Sequence, residues 1–253
     1  MLHTGLVSIT FRNLSPKEIV DLVAKAGLEG IEWGGDIHVP HGDLKCAREV
    51  GAMTRDAGLA VPSYGSYYRI GEKDGASFSD VLATAVELGA PLVRVWSGSK
   101  GSADADEAYR ESIVLEAQQI ADEAAAAGIE TSCEFHGGAL TDTNESAERF
   151  YGEVGRDNAK AYWQPNANDV NYNVGGLEAL LPWLAHIHAF NWNWGDAGFD
   201  RLPLGDAPDK WKRYLQVAAS TGREHFVMLE YVKDDSPEAF LEDAATLKSW
   251  IEG

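Results

Sequence analysis

Short apolar runs alternate along the chain with longer segments whose apolar residues recur at helical spacing, and the alternation repeats about eight times. The runs near residues 5–10, 29–33, 59–64, 91–96, 129–135, 161–165, 186–190 and 226–230 are expected to be buried strands. Between the first two lies SPKEIVDLVAKAG, where Ser15 and Glu18 form a capping box, Pro16 suits the first helical position and Gly27 ends the helix. RDAGLAV, VELGAPL, AAAAGIE and AASTGREH repeat the same phrase of helix, glycine and strand. This pattern predicts parallel strands joined by crossover helices. The length of 253 residues matches one (β/α)8 barrel, which takes about 250. An open doubly wound sheet would want a glycine-rich turn after its first strand, and VSITFRNLS has none.

No Pro/Gly/Ser linker or low-complexity run interrupts the alternation, so residues 1–253 are read as a single barrel domain of the α/β class. Two connections, Gly34 to Asp43 and Asn191 to Asp209, are longer than packing needs, and long βα loops lie on the C-terminal face of a barrel, where its chemistry is done. The balance of 21 basic against 40 acidic residues gives a formal charge of -19, which repels nucleic acid and anionic lipid. Cys46 and Cys133 have neither a metal nor a redox spacing. The N-terminus carries no basic region followed by an apolar run, and no stretch reaches the ~20 apolar residues of a membrane span. A cytoplasmic protein is expected, with no membrane or nucleic-acid partner; a homodimer is left open.

The chemistry gathers at strand ends. Glu134 and His136, in ETSCEFHGGALTDT, Gln164 in AYWQPN, His186 and His188 in AHIHAFNW, and Glu230 in FVMLEYV each fall where a strand should finish. Cys133 and Phe135, Ile187 and Ala189, and Val227 and Leu229 occupy the helix-facing positions, so their neighbours Glu134, His188 and Glu230 must point into the barrel. Buried carboxylates that face one another are strongly disfavoured, and a divalent cation is the simplest compensation. The plainer alternative is a set of core salt bridges to Arg94. For Gln164, a hydrogen-bonding role stands beside ligation, and only one of the two histidines is expected to bind metal. Trp33, Trp96, Tyr67, Tyr68, Trp192 and Trp194 lie at or just after strand ends, where rings suit a sugar or simply pack. Glu32, His38, His41, Asn166 and Arg201 are further candidates for substrate contact.

GIEWGGDIHVPHGD, CEFHGGALTDT, HIHAFNW, RLPLGD and MLEYV together resemble the sugar phosphate isomerase/epimerase superfamily with the xylose isomerase-like TIM barrel, over essentially the whole chain. That superfamily includes ketose 3-epimerases, inosose dehydratases and the endonuclease IV branch. The resemblance implies one divalent ion, manganese first and otherwise magnesium, cobalt or zinc, held by Glu, Asp, His and Glu at the ends of the fifth to eighth strands. These positions fall on Glu134, Gln164, His188 and Glu230, so an amide stands where the pattern has a carboxylate. Arg201 resembles the substrate-contacting arginine, and His136 and Asp142 resemble substrate-side residues.

The reading that follows is a metal-dependent isomerase or epimerase acting on a keto-sugar or related polyol through an enediolate, with Glu134 and Glu230 as the acid/base pair. Glu32, His38, Trp96, His136, Asp142, Asn166, His186, Trp192 and Arg201 are its expected substrate contacts. The alternative within the fold is a lyase that dehydrates an inosose or cleaves a 3-keto-glycoside after the same proton abstraction. Outside that chemistry stand an endonuclease IV-like phosphodiesterase, which the net charge opposes, and a non-catalytic sugar-binding barrel, for which Gln164 is the best argument.

Overall fold

The computed structural model describes residues 1–72, 75–195 and 198–252. Its strands are β1 (Leu2–Val7), β2 (Gly30–Gly34), β3 (Tyr64–Arg69), β4 (Leu92–Trp96), β5 (Glu130–Glu134), β6 (Ala159–Trp163), β7 (Leu184–Ala189), β8 (Trp192–Gly195), β9 (Gly198–Arg201) and β10 (His225–Leu229). β1 to β7 and β10 are parallel and close into a barrel in which β1 pairs with both β2 and β10. Among the described residues eight helices surround it: α1 (Pro16–Ala26), α2 (Leu44–Asp56), α3 (Phe78–Leu88), α4 (Glu107–Ala126), α5 (Asn144–Val154), α6 (Val170–Leu180), α7 (Pro208–Ala219) and α8 (Pro237–Glu252). The fold is the (β/α)8 barrel expected from the alternation. No helix among the described residues is long and apolar enough to cross a membrane.

Local signals explain most boundaries. Ser15 accepts from the Glu18 backbone and Glu18 reaches back to Ser15, closing the capping box of α1. The helix stops at Gly27, whose φ of 68° suits a residue without Cβ. The apolar residues of the strands divide between two regions. Ile31, Trp33, Val93, Val95, Ile187, Val227 and Leu229 join the helices in the main core, while Leu92, Tyr162, Met228 and Ile9 belong to a smaller cluster.

Three strands are displaced from their expected positions. β1 ends at Val7 because residues 8–11 turn into a 3-10 helix, with Ser8 Oγ accepting from Gly34 N at 2.9 Å. Residues 59–63 meet β2 through the bridge between Gly30 and Ala60 and a hydrogen bond from Trp33 N to the Ser63 carbonyl, and regular pairing of β3 begins at Tyr64, after Pro62, which has no N–H to donate. β6 stops two residues before Pro165, so Gln164 lies just past its end. The long connection after β7 is not a simple loop: it contains the antiparallel β8–β9 hairpin and a 3-10 turn over Leu204–Asp206. The Trp194 side chain falls outside the described residues.

Candidate metal centre and the cavity above it

Glu134 closes β5, His188 is the inward residue next to the end of β7, and Glu230 follows β10. Their flanking residues Cys133, Phe135, Ile187, Ala189, Val227 and Leu229 are buried on the helix side, which drives the three polar side chains into the barrel. The potential ligand atoms of Glu134, His188 and Glu230 lie within 4.8 Å of one another, and all three residues are buried. His188 Nδ1 faces this group, at 3.4 Å from Glu230 Oε2 and 3.6 Å from Glu134 Oε1. Gln164 turns its carbonyl oxygen to the same nitrogen at 3.3 Å, while its amide N–H donates to Glu134 Oε1 at 3.2 Å. One imidazole nitrogen, two carboxylates and an amide oxygen are a donor set that suits a divalent ion.

The arginine of the plainer alternative is present as well. Arg94 is fully buried and donates from Nη1 to Glu134 Oε2 and from Nε to Glu32 Oε1, the latter at 2.8 Å. Glu32 therefore lies beneath the centre, not in the cavity. Three buried carboxylates, Glu32, Glu134 and Glu230, against one guanidinium leave a formal charge of two negatives when His188 is neutral. That charge matches a divalent cation, and an aspartate at position 164 would raise the deficit to three. The salt bridge and the cation site are parts of one arrangement.

The electrostatics separate the carboxylates. Burial alone would raise Glu134, but Arg94 outweighs it, with help from His188, and the group is held at about 2. Glu32 is lowered further, as Arg94 and His188 overcome its burial. Glu230 goes the other way: burial raises it, His188 only partly offsets this, and the negative Glu134 adds to the rise. Burial would lower His188, but the carboxylates of Glu230, Glu134 and Glu32 carry it up to about 10.

Above the centre opens a cavity of about 760 Å³, lined among others by Phe11, Arg12, His136, Trp192, Arg201 and Tyr231. His136 Nδ1 is 2.6 Å from the Gly137 carbonyl, so it is the N–H nitrogen and Nε2 carries the lone pair in the neutral ring. Trp192 stacks on Phe190 with centroids 3.8 Å apart. Arg201 pairs with Asp235 and lies over the Tyr231 ring, and Arg12 pairs with Asp36 at 2.6 Å. Tyr231 (φ 52°), Asp234 (56°) and Asp235 (49°) hold left-handed backbone that side chains rarely adopt, and such local strain gathers at functional rims.

Several residues expected to touch substrate take other positions. Both faces of Trp96 are covered, by the Arg69 guanidinium at 3.4 Å and by the His136 ring at 4.5 Å, so no sugar ring can stack there; its Nε1 donates instead to Glu134 at 2.7 Å. His186 points into the barrel two residues before His188, accepts from Phe226 N at 3.1 Å and is lowered to about 4 by burial. His38 is buried behind β1 and β2 against Ser8 Oγ at 3.0 Å and the edge of Trp33, and His41 is bonded to Tyr64. Asp142 accepts from Ser102 N and Asn166 donates to the Asp142 carbonyl, so the pair ties three βα loops together. Arg12, Arg69 and Tyr231 enter the site without having been singled out; Arg69 is the last residue of β3, and Arg12 and Tyr231 follow the ends of β1 and β10, positions sequence alone could have marked.

Residues 20–250 match the xylose isomerase-like TIM barrel family. A 3-dehydroshikimate dehydratase of Bacillus anthracis is 27% identical over 204 residues, covering 74% of this chain and 71% of that protein. Among solved structures, a probable 3-DHS dehydratase from Bacillus anthracis superposes with a TM-score of 0.81 at 22% identity, over 98% of this chain and 99% of the other. A D-psicose 3-epimerase crystallised in the presence of D-fructose superposes with a TM-score of 0.74 at 15% identity, over 99% and 100%.

Proposed function

Because the chain belongs to the xylose isomerase-like TIM barrel family, we propose that it is a divalent-metal-dependent lyase that removes water from a small polyhydroxylated ketone. The substrate would carry an acidic hydrogen beside the carbonyl and a hydroxyl one carbon further on. The observation that carries this reading is the inequality of the two carboxylates. Glu134 is already engaged by three N–H donors, from Arg94, Trp96 and Gln164, while among the described residues Glu230 meets a single side-chain nitrogen, His188 Nδ1 at 3.4 Å. Epimerisation needs a base on each face of the reacting carbon, and Glu134 is not free to be the second. Elimination needs one. The named activity of the Bacillus anthracis dehydratase supports the same choice.

In this mechanism Glu230 takes the proton from the carbon beside the carbonyl. The electron pair left behind forms the new C=C bond as the hydroxyl departs from the next carbon, and the proton on Glu230 leaves with it as water. When bound, the divalent ion supplies positive charge where negative charge collects on the substrate oxygen. Glu134, His188, Glu230 and the Gln164 carbonyl would hold it. His136 Nε2 and Arg201 orient the hydroxyls, and Trp192, backed by the Phe190 ring, forms part of the cavity wall.

The test is to load the protein with manganese, magnesium, cobalt or zinc and present cyclic 3-keto polyols, 3-dehydroshikimate among them, beside ketohexoses in D2O. Rising ultraviolet absorbance of a conjugated product, with no epimer formed, is expected for a cyclic ketone. Epimerised ketohexose without dehydration would replace the lyase by an epimerase, and a chain that retains no divalent ion would end the metal reading.

A further inference from the structure

Glu32 has no part in the mechanism above, yet it is placed with unusual care. It sits at the inward position of β2, fully buried, with Ser63 Oγ donating to Oε2 at 2.6 Å and Arg94 Nε donating to Oε1 at 2.8 Å. The adjoining strand makes room for it at Gly65, where an added Cβ would lie 2.7 Å from both Arg94 Nη2 and Glu32 Oε1. The same Oε1 is 3.6 Å from His188 Nε2, a buried nitrogen without a hydrogen-bond partner. The other nitrogen, Nδ1, faces three acceptors, the Gln164 carbonyl at 3.3 Å and the carboxylates of Glu230 and Glu134, which hold its hydrogen unless a cation takes that place.

We infer that Glu32 is a positioning residue for the metal centre, whose carboxylate takes the Nε2–H of His188 and so leaves the Nδ1 lone pair for the ion. The inference rests on the metal reading proposed above. A neutral imidazole can ligate through one nitrogen only if the other carries the hydrogen, and a carboxylate behind that hydrogen fixes both the tautomer and the ring plane. Bringing 3.6 Å to a hydrogen bond takes a shift of only about 0.6 Å.

A simpler role, counter-ion to Arg94, accounts for less. Glu134 already neutralises that guanidinium, so a second, fully buried carboxylate adds a charge that Arg94 alone does not balance and that a purely structural pair would do better without. The arrangement gains a reason once the ion is counted. Arg94 then acts as a rigid planar spacer that fixes Glu32, behind the histidine, relative to Glu134, beside it.

The experiment compares the intact wild-type chain with E32Q, titrating Mn2+ and Zn2+ by calorimetry, and reads the His188 ring by 15N NMR in the zinc-loaded wild type. The expected result is an Nε2–H tautomer in the wild type and metal affinity about 10- to 100-fold weaker in E32Q, with the apo circular dichroism unchanged. Affinity in E32Q within twofold of wild type overturns the inference, and so does an Nδ1–H tautomer in the wild type. The tautomer measurement needs no variant, so it stands even if E32Q does not fold. A wild type that binds neither ion removes the metal reading itself, an outcome distinct from a wild type that binds and an E32Q that binds equally well.

Discussion

The two walls of the centre are built on different terms. On the β4–β5 side the polar groups are locked together: Arg94 holds Glu32 and Glu134, Trp96 and Gln164 complete the bonds to Glu134, and the Arg69, Trp96 and His136 planes are stacked. On the β10–β1 side, His188 is the one side-chain N–H group that Glu230 meets among the described residues, its neighbour Tyr231 is in left-handed backbone, and the cavity opens. The contrast teaches that two chemically identical carboxylates are made unequal simply by how many donors each is given; on the function proposed above, one would hold charge and the other move a proton.

The strongest way to break this contrast is to neutralise each carboxylate in turn. Glu230→Gln is expected to lower turnover of an accepted substrate by about 10²- to 10⁴-fold, with no recovery at saturating metal. Glu134→Gln should show chiefly weakened metal binding, with activity partly restored by excess ion. Equal recovery in both variants, read by steady-state kinetics against metal concentration, would erase the distinction. Arg94→Met should cost about 3–5 kcal/mol, since it strips the charge partner from two buried carboxylates. Denaturant unfolding of the apo protein measures it, and a loss under about 1 kcal/mol would mean the locked wall does not depend on its arginine.

Smaller changes sharpen the comparison. Gly65→Ala forces a methyl against Arg94 and Glu32 and should destabilise by about 1–3 kcal/mol, whereas an equivalent change at Gly137, where a Cβ meets nothing within 4 Å, should not. Gln164→Asp adds a negative charge to the centre; calorimetry should find metal held on the order of tenfold more tightly and kinetics a slower turnover, because the added charge blunts the ion's pull on the substrate. Unchanged metal affinity would remove Gln164 from the ligand set.

The smallest effect belongs to the rim of the open wall. Asp243 on α8 accepts from Leu204 N at 2.7 Å and anchors the turn after β9; burial raises it from 3.8 to about 6. A carboxyl raised in the fold favours folding while protonated, so its contribution is complete below about pH 4 and is lost as pH climbs through 6. Asp243→Asn should therefore melt slightly higher than wild type at pH 7 to 8, with the gap closing toward pH 4. A gap that is independent of pH would mean the group is not titrating in the fold.

The chain's own pattern determined the barrel and the inward aim of Glu134, His188 and Glu230, because strand alternation and helix capping are local and each repeats along the sequence. It also brought Gln164 to the centre, as a polar residue at the expected end of the sixth strand. Tertiary structure alone decided what those residues meet. Nothing in GIEWG indicates that Glu32 lies under His188, and although a core salt bridge from Arg94 to Glu134 was readable as the plainer alternative, nothing in LVRVW indicates that Arg94 also reaches Glu32, since that contact joins residues 62 apart. The covered faces of Trp96 and the descent of His186 into the lower barrel follow from the same cause. Which face a residue takes is set by its own strand, but its partner across the barrel is set by the register and closure of all eight.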